Sequence, residues 1–278
     1  MNKEDSIQIL LGKLLSKTLN YSSSLNDVEF SVFSQFGDDG IIQFLINEIN
    51  PTEKFFIEFG VANYLESNTR FLLQNNNWSG LVIDGSKGNI DFIKNQEFFW
   101  KHDLAAIEAF VTVENINKLL SGVPQNAGLL HIDIDGNDYW IWKAINTIET
   151  DIVIMEYNSI FGYERAITIP YEASFIRQQK HYSFLYAGAS LPALCDLAEE
   201  KGYYFVGSNS AGNNAYFVRK EKIGGRKPLT ATEGYVESKF RESRNRKGEL
   251  DFLSGKDRLE IIKGLPVYNT RLKCIEKI

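Results

Sequence analysis

Two acidic patterns in this chain have spacings that could do chemistry. The first is Glu58-Phe59-Gly60, followed 24 residues after its glycine by Asp84. Each acid sits near the end of a short apolar run, Phe55 to Gly60 and Gly80 to Gly85. A glycine after a strand lets the backbone approach a ligand, and an acid after the next strand can accept from two ribose hydroxyls. Ala62 and Tyr64 occupy later positions of that loop, so it lacks G-x-G-x-x-G. A pyrophosphate wants that glycine-lined space at a helix N-terminus. A nucleoside without phosphates does not, and S-adenosylmethionine (SAM) is such a ligand, with a positive sulfur suited to acidic walls. The bland alternative is a tight turn with a surface aspartate.

The second pattern is Asp133-Ile134-Asp135, with Glu156 and Asn158 farther on. Alternation along a strand would put both aspartates on one face, about 6–7 Å apart. With Glu156 and Asn158 they form a hard oxygen set suited to Mg²⁺ or a similar ion. Such an ion would lower the pKa of an acceptor hydroxyl. In the competing reading Asp133 touches SAM, Asp135 and Asp138 cap the next helix, and no metal binds. Hydroxyl chemistry also needs a base. Of the three histidines, His102 reads as a strand-end residue and His131 lies within a strand, alternating away from Ile132. His181 falls in a polar insertion, 159–187, with the composition of an acceptor lid, and is the candidate base; a surface histidine is the alternative. The amide-rich loop Asn209 to Asn214 suits sugar hydroxyls or is simply a turn.

These residues need a frame. Strand-like runs at 55–60, 80–85, 97–103 (ending in His102-Asp103), 129–136 and 151–156 alternate with helical stretches at 41–46, 68–75, 89–95 and 139–145. Ser67-Asn68-Thr69 could cap the second of these. Strands alternating with helices make a parallel α/β sheet. Tyr203 to Val206 and Ala215 to Val218 bracket a polar loop and read as a closing hairpin. The expected fold is a Rossmann-like, doubly wound, mostly parallel seven-stranded sheet with a C-terminal antiparallel hairpin. Its ligands belong beyond the carboxyl ends of the strands, where Glu58, Asp84, Asp103, Asp133 with Asp135, and Glu156 would gather. The expected division is an N-terminal helical segment (1–30), a SAM-binding domain (31–218) containing the lid, and a partly helical tail (219–278) with helical patches near 232–247 and 256–263.

The chain has 278 residues, 44% hydrophobic and 24% charged, which excludes disorder as the dominant state. Its net charge of −6 is unevenly spread. Residues 1–218 carry 14 Lys/Arg against 27 Asp/Glu, and residues 219–278 carry 16 against 9. An acidic body disfavours nucleic acid. In the tail, Lys239, Arg241, Arg244, Arg246 and Lys247 read as a solvated face, as contacts to phosphates of a nucleotide-activated sugar, or as a surface for a second subunit in a homo-oligomer. Two cysteines without metal spacing, an acidic N-terminus and no apolar run near 18 residues point to a cytoplasmic protein without a membrane span.

The series Ser34-Gln35-Phe36-Gly37-Asp38-Asp39, Phe56-Ile57-Glu58-Phe59-Gly60, Glu66-Ser67-Asn68-Thr69, Trp78-Ser79-Gly80-Leu81-Val82-Ile83-Asp84 and Ile132-Asp133-Ile134-Asp135-Gly136 resembles the FkbM-type class I SAM-dependent methyltransferases. The resemblance covers roughly residues 30–220, and Asn137-Asp138 departs from the usual pair after the fourth strand. It implies O-methylation of a sugar or nucleotide-activated sugar, in surface-polysaccharide biosynthesis. It also implies that Gln35, Glu58, Gly60, Ser67 and Asn68 border the methionine end of SAM, that Asp84 holds the ribose and that Asp103 meets the adenine. Catalytic roles fall to His181, Asp133 and Asp138, and metal ligation to Asp135, Glu156 and Asn158. The rival readings are a glycosyltransferase using Asp133 and Asp135 as a metal clamp, and a non-catalytic scaffold of the same fold.

Overall fold

A computed structural model describes residues 3–19 and 24–278. Part of the N-terminal helical segment expected over 1–30 lies outside the described residues. The strands are β1 (Phe55–Phe59), β2 (Ser79–Asp84), β3 (Leu104–Glu108), β4 (Asn126–Ile132), β5 (Glu149–Glu156), β6 (Ile167–Thr168), β7 (Tyr203–Ser208), β8 (Asn214–Arg219), β9 (Pro266–Asn269) and β10 (Cys274–Lys277). Among the described residues, seven of them form one sheet in the order β3-β2-β1-β4-β5-β8-β7. The pairs β1–β2, β2–β3, β1–β4 and β4–β5 are parallel, whereas β8 runs antiparallel to both β5 and β7. This is the doubly wound sheet with a closing hairpin that the alternating pattern predicts. The strand order reverses between β1 and β4, the switch point at which such sheets bind ligands.

Near-continuous apolar strands are buried on both faces by helices. Ile57, Phe59, Leu130, Ile132, Val153 and Met155 pack on one side, against a layer that includes Trp142 and Leu194. Phe56, Val82, Leu129, Ile152 and Ile154 pack on the other, against Ile41, Phe44, Leu45 and Leu72. The helices that bear on the site are α1 (Lys3–Ser16), α2 (Asp38–Ile49) and α3 (Arg70–Asn76). Two expectations change in this region. Residues Glu97–Lys101 form a helix rather than a strand, and β3 starts at Leu104. The aromatic run Phe98-Phe99-Trp100 carries strand propensity, but Phe98 is needed under Tyr64 and Arg70, a contact that a helical turn supplies.

The insertion and the tail form one lobe. β6, from the insertion, pairs with β9, which pairs with β10, so two tail strands complete a three-stranded sheet. Phe161, Ile167, Ile169, Phe175, Leu185, Ile262 and Val267 make its core. The helical patch expected near 232–247 shrinks to one capped turn, Ala231–Gly234, and the chain beyond it is largely irregular, with a bridge between Arg244 and Leu250. The patch near 256–263 is helical, Lys256–Ile262.

Candidate active site

A cavity of about 690 Å³ opens over the carboxyl ends of β1 to β5. Gly60 follows β1, Asp84 ends β2 and Gly85 follows it, Ala109 to Val111 follow β3, Asp133 to Asp135 follow β4, and Glu156 ends β5. Its size suits a nucleoside-sized ligand. Its lining holds eight carboxylates (Asp38, Glu58, Glu66, Asp84, Asp133, Asp135, Glu156 and Glu242) against two arginines, Arg177 and Arg241. A low-dielectric cleft with that balance attracts a cation.

Glu58 is the hub of one wall. It is buried, and its carboxylate accepts from Ser67 Oγ at 2.6 Å, Asn68 N at 3.0 Å, Thr69 N at 3.2 Å and Thr69 Oγ1. His131, its neighbour in register on β4, lies 2.9 Å away through Nδ1. Burial alone would raise the Glu58 carboxyl, but the hydrogen bond and charge of His131, with Ser67 and Thr69, hold it below the usual range. Burial would correspondingly lower His131, and Glu58 outweighs that and raises it. Ser67-Asn68-Thr69 therefore grips Glu58 rather than capping α3, whose N-cap Thr69 makes no side-chain cap bond. Asn68 Nδ2 also reaches His131 Nε2, at 3.2 Å. His131 is the histidine of this site.

The loop that lacks the glycine motif adopts the strained conformation anyway. Ala62 and Tyr64 have φ of 46° and 62°, in the left-handed region. That costs roughly 1–2 kcal/mol per residue for side chains with a Cβ. Asp84 offsets part of it: its carboxylate accepts from Ala62 N at 2.9 Å, as well as from Ser86 N and Asn89 Nδ2. Tyr64 is anchored by its hydroxyl, 2.9 Å from Thr69 Oγ1. Gly60, at φ +73°, is required for another reason, because a Cβ there would stand 1.7 Å from the Asp133 carbonyl oxygen. It permits the close approach of the β1 and β4 ends. Gln35 is exposed on the cavity rim.

The second acidic pattern converges, though not by strand alternation. β4 ends at Ile132, and Asp135 sits at φ +57° in the turn beyond. One carboxylate oxygen from each of Asp133, Asp135 and Glu156 lies within 4.8 Å of the others. Burial, then the charge of Asp135, pushes Asp133 up to about 7, and burial with the Asp133 charge pushes Glu156 well up. Arg177 compensates: Nη1 donates to Asp135 at 2.7 Å, Nη2 to Glu242, and Nε to the Phe184 carbonyl at 2.5 Å.

Other candidates lie elsewhere. Asp103 precedes β3, at the amino end of the sheet, so it cannot meet an adenine at the carboxyl end; Ala109, Phe110 and Val111 occupy that position. Asp138 is fully buried and accepts from Ile134 N and Gly136 N, which makes it a positioning residue for the aspartate turn. Asn158 spends its amide on Leu185 O, Ala187 O and Ile160 N, so the oxygen cluster consists of Asp133, Asp135 and Glu156 without it. His181 does not line the cavity and bonds to Ser183 Oγ at 2.7 Å within its own turn. The loop from Asn209 to Asn214 ties itself to Asp38 through Asn209 and Asn214 and presents Asn213 and Asn214 to the cavity.

Sequence reasoning gave no site role to Arg177 or Asp38, nor to Phe240 and Glu242 on either side of Arg241. Phe240 stacks on Phe36 with centroids 5.3 Å apart, so the tail closes one side of the site. The run of bases in 239–247 was the available signal, but only Arg241 of the five reaches the cavity. Arg244 and Arg246 instead lie over the Phe184 and Tyr182 rings. Among the described residues no helix is long and apolar enough to cross a membrane.

No protein-family profile matches this sequence, and no curated protein does. Among solved structures the chain is similar to the N-terminal domain of EvdMO1 with SAH bound, at 12% identity over 78% of this chain and 96% of that chain, with a TM-score of 0.44. It is also similar to the O-methyltransferase from Bacillus cereus in complex with SAH, at 10% identity over 79% of this chain and 92% of that chain, with a TM-score of 0.45. At such low identity the chemistry has to be argued from the cavity itself.

Proposed function

We propose that this chain is a SAM-dependent O-methyltransferase acting on a hydroxyl of a sugar or nucleotide-activated sugar. The observation that carries the reading is the acid-walled cavity at the switch point, with the Asp133, Asp135 and Glu156 carboxylates gathered at its floor. The residues present fit SAM: the Gly60 to Glu66 loop and Ser67-Asn68 form one wall, Asp84 stands at the end of β2, and the carboxylates complement a sulfonium. When bound, SAM supplies an electrophilic methyl group.

The chain's own residues then have three tasks. Asp133, pushed up to about 7, accepts the proton of an acceptor hydroxyl as the new oxygen–carbon bond forms. Burial and the neighbouring Asp133 charge raise the Glu156 carboxyl, which disfavours two adjacent negative charges at this point. Arg177 fixes Asp135 and Glu242 across the mouth, which orients the lid and the tail toward the same point. Asn214 Nδ2 is spent on Asp38 and Asn213 Oδ1 on Asn209, which leaves Asn213 Nδ2 and Asn214 Oδ1 for sugar hydroxyls.

A second reading adds a divalent ion on Asp133, Asp135 and Glu156, favoured by their convergence. Arg177 already bonds Asp135, so an ion must displace or share that contact. Incubation with SAM and a panel of nucleotide sugars, with and without EDTA, tests both, with S-adenosylhomocysteine release as the readout. Turnover unaffected by EDTA removes the metal. No SAM binding by calorimetry defeats the proposal; metal-dependent binding of a nucleoside diphosphate in its place would favour the glycosyltransferase, and a chain bound by neither would be a scaffold.

A further inference from the structure

The leading helix is mounted the opposite way to an ordinary amphipathic surface helix. Its inner face is narrow: Ile9 packs on the Val32, Phe33 and Phe71 cluster, and its neighbours on that face are small or polar. Gly12 is buried so closely that a Cβ would meet Val32 at 2.4 Å and the Phe71 ring at 2.8 Å, and Asp5 pairs with Arg70 at 3.0 Å. Those contacts fix the rotation of the helix. The outer face carries Ile7, Leu10, Leu11, Leu14 and Leu15, each 46–58% exposed. At about 100° per residue the first four fall within a ~100° arc, half a turn away from Asp5 and Gly12. The five lie side by side on one face, and a contiguous apolar surface of roughly 300–600 Å² is the size that marks an interface on a soluble protein.

We infer that this stripe is covered by the same stripe of a second copy, through two-fold antiparallel pairing of the α1 helices. The spacing is self-complementary. Reversed about the point between Leu10 and Leu11, Ile7 meets Leu14 and Leu10 meets Leu11, so one patch serves both sides of an isologous interface. Two surfaces of that size would bury roughly 600–1,200 Å² together, the lower edge of a specific interface, and a reversible dimer with a Kd on the order of micromolar is the expectation to be tested. A lipid surface fits less well. A helix lying in a headgroup layer carries Lys and Arg along its polar face. Here the helix offers only Lys3 and Lys13 as exposed bases beside an exposed Glu4, and residues 1–218 hold 27 acids against 14 bases, which anionic headgroups repel.

Sedimentation velocity of the full chain over roughly 1–100 µM brackets that Kd. The expected mass rises with concentration from 31.7 kDa toward twice that value. The double variant Leu10→Glu, Leu14→Glu changes only outward side chains, so its melting temperature stays that of the monomer while self-association weakens at least ~100-fold. In a Cys274→Ser background, Leu10→Cys gives a covalent dimer on mild oxidation. A wild-type chain that stays monomeric throughout overturns the inference, as does a dimer that survives the double variant. So does a monomer that floats with phosphatidylserine-containing phosphatidylcholine vesicles and loses that property with Leu10 and Leu14.

Discussion

Replacing Glu58 by Gln keeps the shape of the side chain and removes the charge on which five donors converge. The hydroxyls of Ser67 and Thr69 can rotate to suit an amide. The backbone N–H groups cannot: Asn68 N faces one carboxylate oxygen and Thr69 N the other. Whichever way the amide turns, one of them faces another N–H. A buried donor left without a partner costs about 1–3 kcal/mol. Breaking a buried ion pair by neutralising one member, here Glu58 with His131, costs about 3–5 kcal/mol. Both losses concern the same carboxylate, so they do not add, and about 4 kcal/mol is the expected destabilisation. Against a total of roughly 5–15 kcal/mol that is a large fraction. For a chain of this size it lowers the melting temperature by about 8–16 °C. Thermal melting by circular dichroism at pH 7 reads this directly, and SAM calorimetry on the same samples reads the loosened Ser67-Asn68 wall. The pH dependence has a defined shape. Glu58 is held low, so its contribution exists above its unfolded pKa and is lost as pH falls through the folded one. His131 is held high, so its contribution is full below about 6.5 and is lost as pH rises through the folded value. The gap between wild type and variant is therefore widest between those limits. A variant that melts within about 3 °C of wild type at pH 7 refutes the hub.

Asp133→Asn should trade stability for function. The Asp133 carboxyl is raised to about 7, so the stability it favours is lost as pH rises through that value, and the variant should be about 1–3 kcal/mol more stable than wild type at pH 8 by denaturant titration. Its methyl transfer should fall about 10²–10⁴-fold. Gly60→Ala forces a Cβ onto the Asp133 carbonyl, so a loss of more than about 3 kcal/mol, or no folded protein on a gel-filtration column, is expected. His181→Ala should leave kcat/KM within about twofold, since the histidine bonds only its own turn. Ending the chain after Val218 should abolish SAM-dependent turnover, because it removes Phe240 to Glu242 and the β9 and β10 strands that complete the lobe.

The sheet was legible because its strands are unbroken apolar runs that only a doubly covered sheet can bury. The hairpin was legible from its two aromatic runs around a polar loop. Where the chain departs from the simple pattern, a tertiary contact decides. Phe98 turns a strand-like run into a helix, and Glu58 draws Ser67 and Thr69 away from the cap they resemble. Of the site, the acids at the ends of β1, β2, β4 and β5 were visible, since their placement follows from strand ends alone. Asp103 was misplaced with its strand. His131 was hidden because strand alternation shows which way a side chain points but not what stands beside it in register. Arg177 and Phe240 were hidden because they arrive from segments without regular pattern, held only by the cavity they complete.

The pairing of β6 with β9 also sets an order of assembly. Ile167 and Asn269 are joined in register across about a hundred residues of chain. At roughly 5–20 residues per second of synthesis, β6 waits about 5–20 s for its partner. About halfway through that interval β7 and β8 complete the main sheet, while Phe161, Ile167 and Ile169 still lack the cover of Ile262 and Val267. The floor of the cavity is thus made early and its far wall late, and a nascent chain can hold a ligand only on the open side.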